Sequence, residues 1–265
     1  MRTGKATRLH ISCVHSLGRS TLAVVPEDET PRISVIVPAF NAEPWLEDCL
    51  RALEQQEFAP RQYEIIVVDN NSSDASPNIA GRHERVTLLR ENQQSSYAAR
   101  NRGASAARAP VLAFTDADCA PDPKWLRTIY ETMSDPQTDV VIGSREFGRD
   151  GLALRLVADY ESSRDRQVFS SPRLETYYGY AGNMAVRATV FHRHGPFPTV
   201  SRGGDSLFVQ RVVSWRGCGG VIWKRDMRVR LLEVRSFRAY ARKMFVYAGA
   251  RRNAASSCWA ISARL

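Results

Sequence analysis

Apolar residues in this chain fall into short runs separated by stretches of helical spacing. Ile33 to Val37 is a β-branched run closed by Pro38, and Trp45, Leu46, Cys49, Leu50 and Leu53 then recur at helical intervals up to Gln55. This predicts strand, loop and helix. Ile65 to Val68 is a second run, ended by Asp69-Asn-Asn-Ser-Ser-Asp74, a cluster of turn and helix-cap residues. A third strand is predicted over about Val86 to Leu89 and an Ala-rich helix over Tyr97 to Arg108, where Gly103 permits close approach to a neighbour. The run Val111 to Phe114, a helix from about Pro123 to Met133 and a strand at Val140 to Ile142 continue the alternation. Such alternation describes an α/β protein with a Rossmann-like, doubly wound, mostly parallel sheet and helices on both faces. The second half is less regular. It reads as a helix from about Leu152 to Gln167, a Gly/Tyr-rich loop at Tyr177 to Gly182 and a helix from about Asp205 to Trp215. A last amphipathic helix spans about Ser236 to Arg252, with Phe237, Tyr240, Ala241, Met244 and Ala248 along one face.

At 265 residues, one full α/β domain is expected rather than two. The hydrophobic share of 43% and charged share of 25% are those of an ordinary globular chain. No window approaches the roughly 18 uninterrupted apolar residues of a spanning helix. The first thirty or so residues carry Arg2, Lys5, Arg8 and Arg19 among scattered apolar residues, which reads as a loose extension rather than a secretory signal. Five widely spaced cysteines without a Cys-x-x-Cys pair argue against a disulfide framework or zinc site and suit a reducing compartment. Cys119 reads as a small buried thiol, and His192 and His194 as exposed residues of a turn before Gly195-Pro196. The net charge of +9 is localised: from Lys224 to Arg252 ten Lys or Arg face only Asp226 and Glu233, so this segment carries +8. An anionic partner at the C-terminal end is therefore expected.

The chemistry concentrates where the apolar runs end. Val111 to Phe114 passes directly into Thr115-Asp116-Ala117-Asp118, so two carboxylates emerge at a strand's C-terminal edge, where open α/β sheets bind ligands. A divalent cation with a preference for oxygen relieves their repulsion; an acidic solvated loop is the plainer alternative. Pro38-Ala-Phe-Asn41 and Asp69 to Asp74 fall at the same edge. The three turns together suit one nucleotide, with its base near the first two and its phosphates near the third.

In this order the chain resembles the family 2 glycosyltransferases, which have the GT-A fold. The matching stretches are Ser34-Val-Ile-Val-Pro-Ala-Phe-Asn41, Ile65-Ile-Val-Val-Asp-Asn-Asn-Ser-Ser-Asp74, Ala98-Ala-Arg-Asn-Arg-Gly103, Val111-Leu-Ala-Phe-Thr-Asp-Ala-Asp118, Gly182-Asn-Met-Ala-Val-Arg187 and Gly203-Gly-Asp-Ser-Leu-Phe208. The resemblance implies a GT-A domain over 32–235, with a nucleotide-binding half at 32–143 and an acceptor half at 144–235. Residues 1–31 are then an extension, and 236–265 a basic amphipathic helix and tail. It further implies that Pro38, Ala39, Phe40 and Glu43 line the nucleoside pocket and that Asp69 binds the base. Arg100 and Asn101 would position base and phosphates, Asp116 would hold the ribose, Asp118 would ligate the metal, and Asp205 would be the catalytic base. Helix capping or surface ion pairing is the alternative role for each.

Gly182-Asn183-Met184 would lie between donor and acceptor. The chain departs from the pattern at Phe40, where Tyr is common, at Asn70, where a second Asp is common, and at Gly204, where an acid often precedes the catalytic Asp. The Gln-x-x-Arg-Trp motif of processive synthases is missing, which favours transfer of a single sugar.

The implied activity is inverting transfer from a nucleotide sugar, UDP-linked first, to a glycan, lipid-linked or other hydroxyl acceptor, with Mn²⁺ or Mg²⁺. A sugar-1-phosphate nucleotidyltransferase would open with a Gly-rich phosphate loop, and a dehydrogenase would carry Gly-x-Gly-x-x-Gly after a strand; neither is present. A non-catalytic anionic-ligand protein fits the basic end, but a nucleic-acid platform does not, since the charge sits in one terminal segment. The last helix reads equally as core-facing or as resting on an anionic membrane. The location expected is the cytoplasm, including the cytoplasmic face of the membrane.

Overall fold

The computed structural model describes residues 30–147 and 152–245. Residues 1–29 of the expected extension and the tail beyond 245, including Ala248, Arg251 and Arg252, lie outside the described residues. In the first half, β1 (Ile33–Ala39), β2 (Tyr63–Asp69), β3 (Val86–Arg90) and β4 (Val111–Thr115) run parallel, connected through α1 (Glu43–Glu54), α2 (Ser76–Gly81) and α3 (Ser96–Ala106). β1 is buried almost throughout because its successive side chains feed two cores. Ile33, Val35 and Val37 pack with Leu46, Cys49, Leu50 and Leu53 of α1, while Ile36 packs with Leu112, Phe114 and the later residues Phe208 and Val212. A strand covered on both faces reads as a continuous apolar run, which is why no alternation shows. Burying each such side chain contributes about 1.5–3 kcal/mol. Gly103 of α3 behaves as expected: a Cβ there would lie 2.5 Å from Ile36 Cγ2.

The second half adds β5 (Cys119–Pro121), α4 (Trp125–Met133), β6 (Val140–Glu146), α5 (Leu152–Phe169), β7 (Asn183–Arg187), α6 (Ala188–His194), α7 (Gly204–Arg216), β8 (Val221–Leu231) and α8 (237–245). The eight strands of the described residues form one sheet in the order β3-β2-β1-β4-β7-β6-β8-β5. β7 pairs antiparallel with both β4 and β6, and β5 antiparallel with β8. The sheet is thus parallel in its first half and mixed in its second.

Three strands were hidden in the sequence, the three-residue β5 and the longer β7 and β8. Asn183 and Met184, expected between donor and acceptor, open β7, and β8 is disguised because Lys224, Arg225 and Arg230 stand exposed among the buried Val221, Met227, Val229 and Leu231. The division at 143/144 falls within β6, where its pairing with β8 shifts register, so both halves share one sheet. His192 and His194 close a helix rather than form a turn, and the ring of His194 lies 4.7 Å from that of Trp215. Among the described residues no helix is long and apolar enough to cross a membrane.

Candidate active site

The parallel strands end together, and the loops leaving them are sewn to one another by side chains. Asn41, held at φ 48°, accepts from the Ser73 amide at 2.8 Å, and the Ala42 amide donates to Ser76 Oγ at 2.8 Å. Asn70 donates to the carbonyls of Glu91 (2.8 Å) and Gln93 (2.7 Å) and accepts from the Ser95 amide at 2.8 Å. An aspartate could not make the two donations, so the amide at Asn70 has a structural reason. These loops frame a cavity of about 420 Å³ whose walls include Pro38, Ala39, Phe40, Arg100, Asp116 and Asp118.

The acidic end of the cavity is set by β4. Asp116 and Asp118 follow it directly, and with Cys119 they bring one ligand atom each to within 4.8 Å of one another. Burial, then the neighbouring Asp116, pushes the Asp118 carboxyl up to about 6. Burial, followed by the charges of Asp118 and Asp116, drives the Cys119 thiol well above its ordinary value. Its soft sulfur is in any case a poor match for a hard cation. That leaves an oxygen donor set suited to Mg²⁺ or Mn²⁺. A cationic group already sits in this corner: Lys243 Nζ of α8 lies 3.4 Å from Asp118 Oδ2 and contacts Glu233. The residues therefore fit a divalent cation.

On the opposite wall Arg100 is buried and paired with Asp116, while its Nε has no hydrogen-bond partner among the described residues. A buried guanidinium among the walls of a cavity is suited to an anionic or acceptor-rich ligand. Gly182 must be glycine: a Cβ there would lie 2.7 Å from Asp116 Oδ2 and 2.8 Å from the Tyr180 ring.

Asp205 stands behind this wall in the first turn of α7. Its Oδ1 accepts from Tyr97 Oη and the Ser206 amide, each at 2.9 Å, and its Oδ2 accepts from the Ala181 amide at 2.9 Å. Tyr97 and Arg100 are three residues apart on α3, with the guanidinium 5.5 Å from the ring centroid. A chain of contacts thus runs from Asp205 through Tyr97 and Arg100 to Asp116. Burial and then the Asp205 charge push the Tyr97 hydroxyl up, so it remains a donor. The N-cap of α7 is Gly203, at φ 80°, and not Asp205. Gly204 has no room for the expected acid, since a Cβ would meet the Pro198 carbonyl at 2.5 Å.

Several expected site residues are employed elsewhere. Glu43 is exposed and bonds the Ala75 amide at 3.1 Å, tying two loops together instead of lining the cavity. Asn101 exchanges two hydrogen bonds of 2.9 Å with the backbone of Phe197 and does not reach the cavity either. Asp69 is buried at the end of β2, accepts from the Ser72 amide at 3.2 Å and does not line the cavity, whereas Asn70 does. Asn183 and Met184 are fully buried, with Asn183 bracing Ser144, Met227 and Trp125, and Gly182 of that triplet packs against Asp116 without lining the cavity.

Conversely, Trp45, Gln94, Ser96 and Glu233 line the cavity without having been singled out. Trp45 looked like one more apolar position of α1, and Gln94 and Ser96 belong to a polar run before α3 whose neighbours gave no reason to choose them. Nothing local marks Glu233, which arrives from the far end of the chain.

A model of glycosyl transferase family 2 matches residues 34–205. The glycosyltransferase AglE of Haloferax volcanii is 32% identical over 189 residues, which is 68% of this chain and 61% of that protein. Among solved structures, the mannosyltransferase PcManGT of Pyrobaculum calidifontis, in complex with GDP-Man and Mn²⁺, superposes with a TM-score of 0.59 at 23% identity over 77% of this chain and 57% of its own. S. aureus TarS 1-349 in complex with UDP gives 0.59 at 17% identity, over 75% and 60%. The chain thus spans about three-fifths of the length of these proteins.

Proposed function

This chain belongs to glycosyl transferase family 2, and from that premise we propose that it moves a single sugar from a nucleotide-sugar donor to an acceptor hydroxyl, inverting the anomeric centre with the help of a divalent cation. The observation that carries the proposal is the convergence of Asp116, Asp118 and buried Arg100 on one cavity at the ends of parallel strands. Pro38, Ala39, Phe40 and Asn70 form the nucleoside end, with buried Asp69 next to Asn70 in the chain. Asp116 faces the ribose, and the Arg100 guanidinium, a wall of the same cavity, supplies positive charge toward the phosphates. A divalent cation on Asp118 would neutralise charge on the diphosphate, as Mn²⁺ does generally for hard oxygen ligands.

Asp205 is the proposed base. Its Oδ1 is saturated by two donors, whereas Oδ2 accepts one and keeps a lone-pair direction. Oδ2 takes the proton of the acceptor hydroxyl as that oxygen bonds to the anomeric carbon. The bond from that carbon to the phosphate oxygen breaks, and its electron pair leaves on the nucleoside diphosphate. Attack from the face opposite the leaving group inverts the centre.

UDP-linked sugars are the first donors to test, followed by GDP-linked ones. The test is product analysis with Mn²⁺ and a panel of glycan and lipid-linked acceptors: free nucleoside diphosphate should form only with acceptor, and the linkage should have the opposite anomeric configuration. Pyrophosphate release from a nucleoside triphosphate and a sugar 1-phosphate would instead make it a nucleotidyltransferase.

The location proposed is the cytoplasmic side of an anionic membrane. It is supported by α5, which turns Leu152, Leu156 and Tyr160 outward at 72%, 59% and 65% exposure, and by Phe237 and Phe245 of α8, exposed beside Arg238 and Arg242.

A further inference from the structure

The segment after β8 lies beyond the family match yet reaches the acidic end of the cavity. It is fastened there at three points. The Leu232 amide donates to the Asp118 carbonyl at 2.8 Å, the Arg235 guanidinium lies 5.3 Å over the ring of the cavity residue Trp45, and the Tyr240 ring packs edge-on against Phe147 with centroids 5.3 Å apart. Tyr240 also donates to Glu161 Oε1 at 3.1 Å, which docks α8 on α5. These contacts deliver the Lys243 ammonium between the carboxylates of Asp118 and Glu233, 3.4 Å from the former.

We propose that Lys243 is a tethered cation competing with the divalent metal for Asp118, so that docking of α8 and loading of the metal oppose one another. This rests on the reading of Asp118 as the metal ligand. An ammonium and a dication cannot both hold the same carboxylate at contact distance without strong repulsion. Opposition of this kind is reciprocal: whatever factor α8 takes from metal affinity, metal takes from α8 docking. Glu233 shares the ammonium in the docked state, so departure of Lys243 leaves a third carboxylate in the corner where the metal is expected. α8 would thus report, at the protein surface, whether the site is loaded.

The experiment is Mn²⁺ binding, followed by the resonance of free Mn²⁺, to the full chain, to Lys243→Met and Lys243→Gln, and to Asp118→Asn. Both Lys243 variants should bind Mn²⁺ roughly tenfold tighter than the unaltered protein, within the range usual for coupled sites. In the unaltered protein, amide hydrogen exchange over 237–245 should quicken on adding Mn²⁺, a readout that needs no variant to fold. Equal or weaker Mn²⁺ affinity in the Lys243 variants, or exchange unmoved by Mn²⁺, overturns the competition. Asp118→Asn with undiminished Mn²⁺ affinity overturns the metal assignment itself, and the competition with it.

Discussion

Asp205 carries the most specific residue-level claim. In Asp205→Asn the amide NH2 must face one of three donors now shared between Oδ1 and Oδ2, so some stability is lost, about 1 kcal/mol for a hydrogen bond forfeited at a half-buried position. If Oδ2 is the base, kcat among folded molecules falls by roughly 10²- to 10⁴-fold with donor affinity little changed. A purely structural Asp205 would lower the melting temperature and leave kcat alone, and steady-state kinetics beside a thermal melt separates the two. Gly204 offers a second test. Reinstating the acid with Gly204→Asp should destabilise by about 1–3 kcal/mol and should not raise kcat, because the Pro198 carbonyl occupies the space of its Cβ. A variant with unchanged stability and faster turnover would contradict the packing argument. Both residues stood out in the sequence, but their surroundings did not: Tyr97 and Ala181, which hold Asp205, lie 108 and 24 residues away along the chain.

Among the elements, α3 bears most directly on the site, since it carries Tyr97, Arg100 and Gly103 on consecutive turns. Gly103→Ala would place a Cβ 2.5 Å from Ile36 Cγ2 and 3.2 Å from Val68 Cγ2. Helix propensity favours the change by about 1 kcal/mol, while overpacking opposes it by about 1–3 kcal/mol. A net loss is expected in chemical denaturation, together with weaker nucleotide binding as α3 and Arg100 move off the sheet; a gain in stability would show that the helix has room to shift. This contact was legible from Gly103 within an Ala-rich helix, as were the parallel strands, because runs buried on both faces and helices buried on one leave strong periodic signatures. β7 and β8 were not. Asn183 in β7 is polar yet fully buried, satisfied by Trp125, Ser144 and Met227. β8 is half exposed and lined with Lys and Arg, so its charges suggested a surface rather than a strand. Asn101 and Glu43 misled for a related reason: a polar residue near a site reads the same whether it faces a ligand or a backbone, as Asn101 faces Phe197.

Across the whole molecule, charge and function separate: the acidic corner faces the cavity, and the basic surface gathers on β8 and α8. If Arg238, Arg242 and the exposed Phe237 and Phe245 meet a bilayer, the protein should sediment with anionic vesicles at low salt and lose most of that binding as the Debye length falls from about 30 Å toward 8 Å. Failure to sediment even at low salt would contradict it. The central claim, however, is that one cavity binds a nucleoside diphosphate through a cation on Asp118. Isothermal titration calorimetry of UDP and GDP with Mn²⁺ tests it directly. One nucleotide should bind per chain, in a manner that depends on Mn²⁺ and is largely lost in a folded Asp118→Asn variant. Absence of binding by either nucleotide, or equal affinity in the variant with and without Mn²⁺, would contradict it.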